Sequence, residues 1–166
     1  PRSTLFPYTT LFRSEPFIPA ARPGHRTEVM FRAGGYAYVY LIYGMYHCFN
    51  VVAGPEGFPE AVLIRALEPL SGVELMERHR GTRDARRLCS GPGKLCQALR
   101  ISREQNGTDL TGEKLFLTEG ESIPDARVAA TPRINVDYAG EAAGYPYRFA
   151  VKDSPFVSTR RFLGKG

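Results

Sequence analysis

The 166-residue chain is long enough for one domain with a hydrophobic core, and its 43% hydrophobic and 23% charged residues are ordinary for a globular protein. No apolar run approaches the ~20 residues of a membrane span, so no transmembrane helix is predicted. The formal charge of +5 favours a polyanionic partner without requiring one.

The N-terminal segment does not look like part of the domain. Residues 4–14, TLFPYTTLFRS, can be encoded by a common sequencing-adapter oligonucleotide read in frame, and they lack the apolar core and cleavage site of a signal peptide. The stretch EPFIPAARPGH (15–25) is proline-rich and unpatterned. We therefore expect residues 1–25 to be an artefactual or unmatched segment, and we exclude residues 1–14 from fold reasoning. The domain is expected at 26–166.

Residues 36–52 predict a β-hairpin. YAYVYLIY (36–43) is aromatic and β-branched, Gly44 permits a tight turn, and YHCFNVV (46–52) reads as the return strand. A tip centred on Gly44 pairs residues whose numbers sum to 88. Because side chains alternate between faces, one face then holds Tyr36, Tyr38, Tyr40 and Asn50, and the other holds Val39, Leu41 and Phe49. Tyr43 falls at the apex, where it is an exposed wedge.

AVLIRAL (61–67) predicts a third strand, in which Arg65 interrupts an apolar run. A buried guanidinium requires a carboxylate, a phosphate or a water network. Arg65 is therefore either half of a structural pair, with Glu68 as a candidate partner, or a residue of the functional site.

The remaining elements are short. Ser71 and Glu74 have the spacing of a capping box, which predicts a helix start near 71. A second helix follows the turn of SGPGKLCQAL (90–99), and Lys94 in its first turn is a candidate phosphate ligand. Further strands are predicted at 114–119, 126–130, 132–136 and 148–151. These elements predict an α+β class: a single compact mixed domain with a mostly antiparallel sheet, a protruding Tyr-tipped β-hairpin and short flanking helices.

Two features bear on ligands. The basic stretch RHRGTRDARR (78–87) is either a solvated loop or a loop that faces phosphates. Cys48, Cys89 and Cys96 are odd in number without C-x-x-C spacing, and the three histidines lie far apart. This pattern argues against a disulfide framework and predicts no metal site.

An aromatic wedge on a basic protein indicates insertion into a DNA base stack, which costs a few kcal/mol. The face with Tyr38, Tyr40 and Asn50 would then receive the extruded base. Stacking worth ~1–3 kcal/mol per base offsets much of that cost.

Six segments resemble the alkyladenine (3-methyladenine) DNA glycosylase family, in the family's order. They are RTEVMF (26–31), AYVYLIYGMYHCFNVV (37–52), AVLIRALEPLSG (61–72), GPGKLCQAL (91–99), PRINVDYAGEA (132–142) and YRFAVKDSPFVS (147–158). The resemblance implies a monomeric, cofactor-free base-excision repair enzyme that hydrolyses the N-glycosidic bond of alkylated or deaminated purines in double-stranded DNA. It also implies a location in the bacterial cytoplasm with the nucleoid, or in a eukaryotic nucleus, and no association with membranes.

The resemblance also implies residue roles. Tyr43, flanked by Gly44 and Met45, resembles the residue wedged into the gap left by the flipped nucleotide. Tyr40 resembles an aromatic that stacks on the flipped base, and Asn50 resembles the pocket amide that excludes the wrong purines. Arg65 and the backbone carbonyl of Ile134 resemble the groups that position the attacking water. Tyr36 and Tyr46 are expected to be packing residues.

The family's general-base glutamate is missing. Its spacing before Glu28 falls on Phe6, and Tyr8 and Phe17 occupy the positions of a second stacking Tyr and a pocket His. Glu15 is the nearest carboxylate, in an unlike context. A positioned base contributes ~10²–10⁴-fold, so we expect little excision, and we expect the loss of this strand to leave sheet backbone unpaired. The alternatives are a single-stranded nucleic-acid-binding module and a basic domain with a Tyr-rich core.

Overall fold

The computed structural model describes residues 7–13, 27–120 and 122–157, with 7–13, 137 and 138 described through their backbone. The strands are β1 (Pro7–Arg13), β2 (Ala37–Ile42), β3 (Tyr46–Val52), β4 (Glu60–Leu67), β5 (Val128–Thr131) and β6 (Arg148–Val151). They form one sheet in the order β2-β3-β4-β1-β6-β5, and every pairing is antiparallel. The predicted α+β class with an antiparallel sheet is confirmed.

Residues 7–13, part of the segment set aside as foreign, lie inside the sheet. β1 pairs with β4 along its whole length and with β6 through Thr9 and Thr10. The expectation that backbone groups of the sheet would lack a partner here is therefore wrong. Strand pairing satisfies backbone groups whatever the side chains are, so a run of strand-forming residues can fill this position without resembling the family sequence.

Three short helices cover one face of the sheet: α1 (Val73–Arg80), α2 (Ala85–Leu88) and α3 (Pro92–Leu99). Their apolar side chains meet alternate residues of β2, β3 and β4 in the main core. The buried members are Ala37, Val39, Phe49, Ile64, Leu67, Met76, Leu88, Cys89, Leu95, Cys96, Ala98, Ile101 and Leu110. A smaller cluster on the opposite face contains Val29, Tyr38, Val52 and Ala61.

Several local predictions are wrong. The helix near residue 71 begins at Val73 with Gly72, not Ser71, as its N-cap and without a side-chain cap, so the capping box of Ser71 and Glu74 does not form. Residues 114–119 and 132–136 form no strand. In the second of these segments the positive φ of Asn135, 59°, breaks the extended run.

Four 3₁₀ helices occupy connections, at Glu28–Phe31, Arg103–Gln105, Asp125–Arg127 and Asp137–Gly144. Over the described ranges, no helix has both the length and the apolar character needed to cross a membrane.

Candidate nucleic-acid interface

The tip of the β2–β3 hairpin is exposed and holds an unusual backbone. The Met45 amide donates to the Ile42 carbonyl at 3.2 Å, and both central residues of this turn have positive φ, 54° at Tyr43 and 69° at Gly44. Positive φ is the geometry that type I′ turns require, and it is costly for a residue as bulky as Tyr. The Tyr43 side chain is 80% exposed and that of Met45 is 66% exposed. The predicted placement of Tyr43 as an exposed apex residue is confirmed.

The base of the tip rests on the first turn of α3. A Cβ placed on Gly93 would lie 2.9 Å from Cδ1 of Tyr46, so only glycine lets the hairpin approach this closely. Tyr46 therefore packs as expected, although 52% of it stays exposed. Lys94, the next residue of α3, is also exposed. The packing brings the phosphate-ligand candidate close to the hairpin tip.

The predicted pairing of the hairpin is confirmed: Tyr38 faces Asn50 and Tyr40 faces Cys48. The rings of Tyr38 and Tyr40 lie side by side, with centroids 5.4 Å apart. Tyr38 is buried, whereas Tyr40, nearer the tip, is half-buried. An aromatic surface thus runs along one face of the hairpin from the core toward the tip.

Asn50 is 2% exposed and its orientation is fixed by the backbone. Its Nδ2 donates to the carbonyl of Tyr38 at 3.0 Å and to that of Cys48 at 3.3 Å. Because both partners are acceptors, the amide nitrogen must face them. The oxygen Oδ1 is therefore the polar atom that Asn50 can still offer to a ligand.

A β-bulge interrupts β4 at Arg65. The register of β1 with β4 shifts between Tyr8 and Thr9, and Arg65 is the residue of β4 without a Cα partner there. Ile64 and Leu67 both belong to the main core, although strict alternation would place residues three apart on opposite faces. Bulges of this kind often occur next to active sites, where they redirect a side chain.

Arg65 reaches the same face as Tyr40. Leu63 pairs with Asn50, so Arg65, two residues further along β4, projects from the aromatic side. The alternative pairing with Glu68 is wrong, because no hydrogen bond or ion pair joins Arg65 to Glu68 or to any other residue of the described ranges. Among the described residues, none occupies the half-buried Arg65 in place of a ligand.

Cys48 lies between Tyr40 and Arg65. Burial raises the pKa of its thiol, while a hydrogen bond with Tyr40 and the positive charge of Arg65 oppose the rise. The thiol therefore stays neutral at physiological pH. The register given by the hairpin tip identifies the pairing with Tyr40, but the proximity of Arg65 depends on the pairing of β3 with β4, which no sequence signal reveals. The row Tyr40–Cys48–Arg65 is the part of the site that sequence reasoning missed.

Other expected residues lie elsewhere or are not described. Tyr36 packs as expected, with the Arg32 guanidinium 5.3 Å from its ring centroid. Ile134 is half-buried in the loop after β5, a strand three positions from β4 in the sheet, and its role stays a prediction. Phe6, Glu15 and Phe17 lie outside the described residues, and Tyr8 is described only through its backbone in β1.

A groove of about 600 Å³ lies on the other side of the hairpin. Met45 and His47 line it from the hairpin, and Gln97 and Arg100 line it from α3 and its C-cap. It includes none of Tyr40, Asn50 and Arg65. The aromatic face and this groove are therefore separate surfaces on the two sides of one projecting tip.

Comparison with known proteins agrees with this arrangement. A family described as methylpurine-DNA glycosylase matches residues 19–155. A protein named "Putative 3-methyladenine DNA glycosylase" from Alkaliphilus oremlandii is 48% identical over 143 residues, which cover 81% of this chain and 70% of the relative. Proteins of the same name from Bacillus cytotoxicus and Bacillus cereus strain G9842 are 48% and 50% identical, covering 82% and 81% of this chain and 72% and 71% of the relatives. The chain belongs to the methylpurine-DNA glycosylase family.

Proposed function

We propose that this chain binds double-stranded DNA as a monomer and excises alkylated or deaminated purines, 3-methyladenine among them, by hydrolysis of the N-glycosidic bond after base flipping. Membership of the family places it in base-excision DNA repair. The observation that carries the proposal is Tyr43, an 80% exposed ring held in a left-handed backbone at the apex of a hairpin. Strain of this kind is retained where a function requires it.

In the proposed complex, Tyr43 enters the base stack and fills the space of the extruded nucleotide. Gly44 and Met45 flank it, and Lys94 contacts a phosphate beside the insertion. The costs of unstacking and of holding Tyr43 at positive φ are offset by contacts that the free protein lacks.

The extruded purine would stack on Tyr40, while Oδ1 of Asn50 reads the edge of the base. A base made cationic by alkylation binds an aromatic face more strongly than a neutral base does. Arg65, without a protein partner among the described residues, and the carbonyl of Ile134 would hold the attacking water. The transition state has oxocarbenium character, so a base near that water increases the rate.

We expect excision by this chain to be slow. Among the described residues that pair across β2, β3 and β4 around Tyr40 and Asn50, none carries a carboxylate. The sequence of residues 1–25 contains one acidic residue, Glu15. The expected loss is the ~10²–10⁴-fold that a positioned general base contributes.

The test uses duplex DNA containing hypoxanthine or 1,N6-ethenoadenine. Lesion-dependent binding is measured directly, and base release is measured by alkaline cleavage, beside a relative that carries the glutamate. We expect tighter binding to the lesion duplex than to undamaged duplex, with slow release. Release of the base at the relative's rate would contradict the expected impairment but not the proposed function. Tighter binding to single strands than to the lesion duplex would contradict the proposed function and favour the single-strand-binding module.

A further inference from the structure

Three exposed cations, Arg86 and Arg87 of α2 and Lys94 of α3, are carried by two neighbouring helices, and we call this part of the surface the α2–α3 ridge. Ser90 links its two parts. The Nζ of Lys94 donates to Oγ of Ser90 at 3.3 Å, and that hydroxyl donates to the carbonyl of Arg87 at 3.5 Å. These contacts keep the end of α2 next to the first turn of α3.

No residue that the structure describes neutralises the charges of the ridge. None of the three cations forms an ion pair in the part of the chain that the structure describes. Residues 78–94 contain six basic residues and one acid, Asp84, an excess equal to the +5 of the whole chain. The carboxylate of Asp84 caps α2 by accepting a hydrogen bond from the backbone amide of Arg86 at 3.0 Å. Its described partner is therefore a backbone group and not a cation of the ridge. Unpaired like charges so close together favour an anionic partner.

Arg80 joins the two helices that carry the ridge. Its Nε donates to the carbonyl of Leu88, the last residue of α2, at 3.1 Å, and its Nη1 donates to Gln97 of α3. Arg80 therefore ties α2 to α3 from beneath, while Arg86 and Arg87 remain exposed. The expectation that 78–87 is a loop is wrong, because its two ends belong to α1 and α2; whether its exposed arginines face phosphates stays a prediction.

The ridge begins beside the hairpin tip. Gly93 contacts Tyr46, and Lys94 follows it in α3. From Lys94 the ridge runs through Ser90 to the backbone carbonyl of Arg87, and Arg86 is the preceding residue of α2. A duplex with Tyr43 inserted would therefore have a run of backbone on the α3 side of the insertion, and each strand carries one phosphate per ~3.4 Å along the axis.

Resting on the function proposed above, we propose that the α2–α3 ridge binds the sugar–phosphate backbone of duplex DNA on one side of the inserted tip, with Arg86 and Arg87 as phosphate ligands beyond Lys94. These contacts carry no base sequence information. They add affinity for damaged and undamaged duplex alike.

The test measures how the dissociation constant for a lesion duplex changes with salt between about 50 and 200 mM. Log affinity falls with log salt, and each phosphate contact contributes about 0.9 to the steepness of that fall. In the double variant Arg86→Gln/Arg87→Gln of the full chain, we therefore expect the slope to become shallower by about 1.8. The preference for lesion over undamaged duplex is expected to stay unchanged. The matched control is Arg127→Gln/Lys152→Gln, which removes the same charge near β5, at the opposite edge of the sheet from the hairpin.

A slope that is unchanged in the double variant, or reduced equally in the control, would overturn the proposal that the ridge binds the DNA backbone. The charge-preserving variant Arg86→Lys/Arg87→Lys is expected to keep the native slope, and equal loss there would also overturn it. If the native chain shows no preference for lesion duplex, the proposed function fails. If that preference is present while the ridge variants behave like the control, only the ridge fails.

Discussion

At the residue scale, Tyr43 has a conformation that the free protein does not need. Its ring is 80% exposed, so it adds little to the core, and its φ of 54° lies in the left-handed region. That region costs an ordinary L-residue roughly 1–2 kcal/mol. A structural role and a binding role therefore predict opposite effects of replacing this side chain.

Replacing Tyr43 by Asn, which tolerates positive φ, is expected to raise the free energy of unfolding by about 1 kcal/mol and to weaken binding to the lesion duplex. Urea unfolding and fluorescence anisotropy measure the two effects. The control Tyr38→Ala removes a buried ring and is expected to lower stability by about 3 kcal/mol. If Tyr43→Asn destabilised the fold and left DNA affinity unchanged, Tyr43 would be a packing residue.

At the element scale, the hairpin is held against α3 at Gly93. Substitution Gly93→Ala places a Cβ 2.9 Å from the Tyr46 ring. We therefore expect overpacking to lower the free energy of unfolding by about 1–3 kcal/mol, together with weaker DNA binding. Thermal unfolding and DNA titration measure both. The matched control is Gly91→Ala, whose Cβ would meet only the Lys94 side chain at 3.7 Å. Equal effects of the two substitutions would show that the close contact does not position the tip.

β1 gives a second element-scale prediction. It lies between β4 and β6, so deletion of residues 1–13 would split the sheet into β2-β3-β4 and β6-β5. We expect this deletion to abolish the cooperative unfolding transition seen by circular dichroism. An unchanged midpoint would instead mean that the domain at 26–166 folds without this strand.

The hairpin could be predicted from sequence because its aromatic alternation and Gly44 agree, and its pairing followed from the turn alone. The strand predicted at 114–119 failed because alternation does not reveal whether a neighbouring strand is available: Leu115 packs against the main core, but Leu117 stays exposed. Arg65 could be identified as a candidate. Its proximity to Cys48 could not, since it depends on the register between β3 and β4, which no turn residue in the sequence fixes.

At the scale of the whole molecule, the buried thiols predict how stability depends on pH. Burial raises the pKa of Cys89 to about 11 and that of Cys96 to about 12, from an ordinary 9.0. Above about pH 9 the unfolded chain releases these protons while the folded protein retains them, so the free energy of unfolding must fall as pH rises. Urea unfolding across this range measures the fall. Cys89→Ala/Cys96→Ala is expected to be less stable but to have a shallower pH slope, and an equal slope would show that other groups cause the effect.

The molecule as a whole combines an exposed aromatic tip, an aromatic face with an available amide oxygen and a guanidinium, and a basic flank. Its central claim is that Tyr43 enters the duplex, and 2-aminopurine fluorescence reports this most directly. The probe is placed next to an abasic-site analogue, where insertion changes its stacking. We predict that the native chain changes the fluorescence and that Tyr43→Ala, at saturating protein, does not. The same change with both proteins, or no change with the native chain bound, would contradict the account.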